Sequence, residues 1–150
     1  MRKVFAALAT LLTLAVVAQF FLAASGAFDT APNEESFQPH RMLGYGIVLF
    51  AVLMTVVAAI SRMPGRVIGM TGLIAGLVLL QGVIRAIASA FGDTGESTTA
   101  GQFIFGLHAI NALVIMALAG TIARRAREVS RSAATNQMTR AGASQAAPTS

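Results

Sequence analysis

Met42–Ile60 reads MLGYGIVLFAVLMTVVAAI, an apolar run without a single charged residue. Its length approaches the roughly 20 residues that an α-helix needs to cross a bilayer. Proline suits the first turn of a helix, so the span is predicted to begin a turn earlier, at Pro39. Working outward, three more stretches share this character. Val4–Ala24 is broken only by Thr10, Thr13 and Gln19, and Val67–Ala90 is interrupted by Gln81 and Arg85. Phe103–Ala123 carries His108 and Asn111. Lipid offers backbone groups no hydrogen-bonding solvent, so each stretch must be helical. The predicted fold class is all-α, a polytopic membrane four-helix up-down bundle over residues 1–124. Its helices are expected at 4–24, 39–60, 67–90 and 103–123.

The composition agrees. Hydrophobic residues make up 55% of the 150 and charged residues 11%, against roughly 25% charged in a soluble domain. With a mean hydropathy of +0.71, too little polar surface is left to clothe a globule in water. The basic balance, a net +5 and a pI near 11.4, belongs to membrane topology rather than to nucleic acid. Arg2, Lys3, Arg62, Arg66, Arg124, Arg125, Arg127, Arg131 and Arg140 all lie at one side of the expected bundle. The connections 25–38 and 91–102 hold no Lys or Arg and carry Asp29, Glu34, Glu35, Asp93 and Glu96. The positive-inside rule therefore predicts both termini in the cytoplasm. Residues 1–25 also have the outline of a cleaved signal, ending in Ala23-Ala24-Ser25, but their apolar stretch is long for one. The segment 125–150, rich in Ala, Ser, Thr and Gln, is predicted to be a disordered cytoplasmic tail.

Counts exclude several chemistries. The chain has no cysteine, hence no disulfide, thiolate zinc site, iron–sulfur cluster or covalently attached haem. There is no phosphate-binding glycine loop and no Ser/His/Asp set. All six acids lie outside the expected spans, which argues against a proton-coupled transporter.

Short connections make successive helices antiparallel neighbours, so the second and fourth face each other across the diagonal of a square. The two histidines of the chain, His40 and His108, fall on that diagonal pair, both on the side of the acidic connections. Helix axes 8–10 Å apart give a diagonal of roughly 13 Å, enough for a metal-centred flat ring with an axial histidine on each face. Counted from Arg62 and Arg124, the histidines differ in depth by six residues, about 9 Å along a helix. Gly44, one turn from His40, would let such a ring approach the backbone. Gln81 and Asn111 add polar groups at the same level. Two readings fit Arg85: it pairs with haem propionates, or with Asp93, Glu96, Glu34 or Glu35. Gly72 and Gly76, with Gly65, Gly69 and Gly82, give the third helix a small-residue stripe, read as close packing.

His40-Arg41-x-x-Gly44, Leu80-Gln81-Gly82-Val83 and Leu107-His108-Ala109 resemble one four-helix half of the haem A synthases. More loosely, they resemble four-helix b-type cytochromes of the cytochrome b561 kind. The similarity covers about residues 38–123. The resemblance implies one haem b held by His40 and His108 in a bacterial cytoplasmic membrane, with a quinone or membrane redox partner. The synthases have two such halves and carry a glutamate three residues before the first histidine, where this chain has Phe37. The expected function is therefore electron transfer rather than haem A synthesis, and any enzymatic role would be that of an oxidoreductase. The alternative is a haem-free structural or assembly subunit, in a homo-oligomer or a larger membrane complex.

Overall fold

The computed structural model describes residues 2–91 and 98–145. It comprises α1 (Arg2–Ala27), the single turn α2 (Asn33–Ser36), α3 (Gln38–Ile60), α4 (Gly65–Ala90) and α5 (Thr99–Gln145). No strand occurs among the described residues. All four long helices contain stretches long and apolar enough to cross a membrane. Large side chains such as Leu11, Leu49, Leu79 and Leu113 point outward. A contiguous coat of this kind suits lipid and would not be tolerated in water.

α1 packs against α3 and α5, and α4 packs against the same two, while α3 and α5 make no direct backbone contact. The result is the square predicted from the connection lengths, with α3 and α5 on one diagonal. One end of the square carries α2 and its acids, the other Lys3, Arg62, Arg66 and Arg124; these are the acidic and arginine ends below. The core is built from a few large side chains, Phe5, Leu12, Met54 and Ile74, set among alanines. Ala9, Ala51, Ala58, Ala119 and Ala123 are completely enclosed. Small residues at these positions let the backbones approach, the main source of helix attraction where the solvent is as apolar as the side chains. The buried Thr71 hydroxyl donates within its own helix to the carbonyls of Val67 and Ile68.

Two features differ from the sequence expectation, and a third has no counterpart in it. The glycine stripe on α4 does not pack inside the bundle. A Cβ added at Gly65, Gly69, Gly76 or Gly82 would meet nothing within 4 Å, and one at Gly72 only the Thr55 methyl at 3.7 Å. Alanines supply the close packing instead, and the glycines look outward. Nor does α5 end near residue 123: it continues to Gln145 through the stretch expected to be disordered. No Gly or Pro occurs between Gly120 and Gly142, and extending an existing helix avoids the cost of nucleation. Finally, Gly26 does structural work that its position does not advertise. A Cβ there would lie 2.7 Å from the Ser36 carbonyl oxygen, so the end of α1 presses backbone to backbone on α2. Ser36 completes the turn by donating to the Ala31 carbonyl at 2.8 Å.

The α3–α4 turn closes by a Schellman motif. The amide of Met63 donates to the Ala58 carbonyl and that of Arg62 to Ala59, both at 3.0 Å, and Pro64 then stops any continuation. Arg62 sits at φ 49°, the left-handed position that glycine usually fills. Arg62→Gly should therefore stabilise the bundle by up to about 1 kcal/mol in detergent unfolding. A variant less stable than the parent would contradict this account of the turn.

Candidate functional site

The polar residues at membrane depth converge at one level in the acidic half of the bundle. His40 lies in the first turn of α3, His108 well inside α5, and their ring centroids are 6.2 Å apart with the planes inclined at 47°. The diagonal pairing read from the sequence is thus present, and the six-residue depth difference is absorbed by where α3 begins. Gln19 lies eight residues before the end of α1 and His108 nine residues after the start of α5, whereas His40 is only two from the start of α3. α3 is set toward the arginine end, so its first turn meets its neighbours about 9 Å inside their ends. Arg62 and Arg124 therefore do not mark one depth.

His40 is held in that position by a bond to α1. Its Nδ1 lies 3.1 Å from the Gln19 carbonyl oxygen, and donating there leaves Nε2 as the free ring nitrogen. The same arrangement orients metal-ligating histidines, whose second nitrogen donates to a carbonyl or carboxylate. The Gln19 side chain lies against Gly44, where a Cβ would come 3.1 Å from Nε2 of the amide. The space expected to admit a flat ring at Gly44 is taken by this amide.

Aromatic rings flank both histidines. Phe105 stacks on His108 with centroids 5.2 Å apart and planes 7° from parallel, and Phe37 meets His40 edge-on at 6.3 Å. Each phenylalanine precedes its histidine by three residues, a repeated Phe-x-x-His; Phe105 shares a face of α5 with His108, while Phe37 caps the start of α3. Sequence reasoning missed Phe105 in this role, although the repeat was there to be read.

Gln81 and Asn111 join α4 to α5. The Gln81 amide donates to the His108 carbonyl at 3.0 Å, and the Asn111 amide to the Leu77 carbonyl at 2.8 Å. Each helix thus lends the other one side-chain donor, about one turn apart. Among the described residues, three of the four buried side-chain polar atoms found without a protein partner also lie at this level: Gln19 Oε1, Gln81 Oε1 and His108 Nδ1. Buried polar atoms are normally paired, so three at one level set this part of the bundle apart from the apolar packing around it. Among the described residues, no group of three or more His, Asp and Glu could hold a metal ion, so any metal here depends on the two histidines.

Arg85 answers one of its two readings. It pairs with Glu34 at 3.5 Å, and Arg41 pairs with the same carboxylate at 3.3 Å. Asp93 and Glu96, the other acids expected nearby, lie outside the described residues; Glu35 is exposed.

Residues 19–88 match a family of unknown function, DUF6220. The match begins at Gln19 and takes in Glu34, His40, Arg41, Gly44, Gln81 and Arg85, but stops before α5. His108 and Asn111 lie beyond it. No curated protein and no solved structure matches the chain.

The α4–α5 bonds yield a direct test. Gln81→Leu and Asn111→Leu should each destabilise the bundle by about 0.6 kcal/mol and at most about 1.7, the range measured for such bonds in membranes. Unfolding in mixed detergent measures it, and no loss in either variant would remove these bonds from the account.

Proposed function

We propose that the protein holds one b-type haem between His40 and His108 and serves electron transfer. The observation that carries this reading is the spacing of the two rings. Imidazoles bound to one metal at about 2.0 Å per bond stand roughly 6 Å centre to centre when in line, and these stand 6.2 Å apart. The fixed tautomer of His40 supports the reading, as does the unpartnered Nδ1 of His108. His40 and His108 would hold the haem iron, with Phe105 stacked on His108 and Phe37 edge-on to His40. Arg85 offers a guanidinium that matches propionate carboxylates in shape and charge. Held by these two histidines, a haem would supply one-electron transfer.

The arrangement of charge supports a bacterial cytoplasmic membrane, with the arginine end in the cytoplasm and the haem near the outer face. A quinone or a membrane redox protein would then be the electron partner. A second reading is favoured by the polar bonds themselves. Gln81, Asn111 and His40 each contact the backbone of a neighbouring helix. They suffice as glue for a haem-free subunit of a homo-oligomer or a larger complex.

The absorption spectrum of protein purified in detergent from haem-replete cells separates the two. Haem binding predicts a Soret band and sharp α and β bands on reduction; a folded, colourless protein supports the second reading. His40→Ala and His108→Ala should each insert normally and lose the six-coordinate low-spin spectrum. Retention of that spectrum in either variant would exclude the histidine replaced.

A further inference from the structure

Arg41, Arg85 and Glu34 form a triad at the mouth of the histidine level, with two cations on one carboxylate. Arg41 follows His40 directly in α3, and Arg85 lies one turn beyond Gln81 in α4. Glu34 comes from α2, the short turn that α1 supports through Gly26. The two guanidiniums share its carboxylate, one oxygen each, at 3.3 and 3.5 Å. Arg41 also donates to the Glu34 backbone carbonyl. Charge-assisted bonds of this type ordinarily measure about 2.7–2.9 Å, and a guanidinium is best satisfied by two parallel bonds to one carboxylate. Among the described residues neither arginine has that.

The balance is uneven in a second way. The Arg41 side chain is 22% exposed and Arg85 53%, while the carboxylate between them is 79% exposed. The cations are the more enclosed partners and the anion the more open to water. Among the described residues one negative charge faces two positive ones here, an excess charge of +1.

From this we infer that Glu34 is a displaceable latch on a two-arginine carboxylate site. It occupies Arg41 and Arg85 until the carboxylates of an incoming ligand replace it. Resting on the haem reading above, the ligand groups are the two propionates, which bring one carboxylate for each guanidinium. Glu34 then swings into water, where its exposure already places most of it, and α2 is freed from its tie to α3 and α4. Glu34 thereby competes with haem for the arginines.

Titration of the full-length apoprotein in detergent with ferric haem b, followed at the Soret band, tests this. Glu34→Gln removes the competing charge at an exposed position, so it should tighten haem binding by about two- to fivefold, the usual worth of an exposed ion pair. Haem b dimethyl ester, with no carboxylate to offer, should bind the parent and Glu34→Gln alike. Arg85→Leu should weaken haem binding and leave ester binding unchanged. Unaltered or weaker haem binding by Glu34→Gln overturns the latch, and so does equal tightening toward the ester. If the parent itself gives no Soret band, the haem reading fails and the latch with it. If it gives one and Glu34→Gln has no effect, only the latch fails.

Discussion

A bundle in lipid must hold together without the gain that drives folding in water, because the surroundings are as apolar as its own side chains. What remains is close contact between backbones and the few polar bonds that cross between helices. Enclosed alanines on α1, α3 and α5 provide the first. Gln81, Asn111 and His40 provide the second, and all three lie in the acidic half. In the arginine half the buried side chains are mainly apolar, with Phe5, Met54 and Ile122 between the alanines, and Arg125 reaches the Met70 sulfur across from α5 to α4. Polar chemistry and the strongest helix–helix bonds therefore share one level. A residue such as Gln81 cannot be assigned to structure or to a site as though these were separate. It ties α4 to the carbonyl of the histidine proposed as a ligand, while its own Oε1 lacks a protein partner.

The same constraint explains the axial placement of α3. A helix beginning level with the end of α1 would leave His40 close to that end and out of reach of the Gln19 carbonyl. The bond from His40 to the Gln19 carbonyl and the press of Gly26 on Ser36 draw the entry of α3 inward. The connection between α1 and α3 then folds back over the site, which brings Glu34 within reach of both arginines. Placement of one helix thus decides which carboxylate meets Arg85.

Much of this was legible in the sequence because lipid imposes simple rules. Uninterrupted apolar runs had to be helices, and short connections had to give a square with the two histidines on its diagonal. Other features were hidden because they depend on contacts between distant residues. The glycine stripe of α4 carried the right spacing for close packing, but spacing does not say which face a helix turns inward. Alanines, common everywhere in this chain, took that role without any visible pattern. Gly26 matters only because α2 rests on it, and Gly44 only because Gln19 reaches it. The helical course of residues 125–145 follows from continuity with α5 rather than from any signal in that stretch.

The central claim is that His40 and His108 are the two ligands of one haem iron. Low-temperature electron paramagnetic resonance of the ferric protein examines the iron's own ligand field and so tests the claim most directly. The account predicts a low-spin signal from two imidazoles, lost in each single histidine variant. An axial high-spin signal in the parent protein, or a low-spin signal that survives replacement of either histidine, would contradict it.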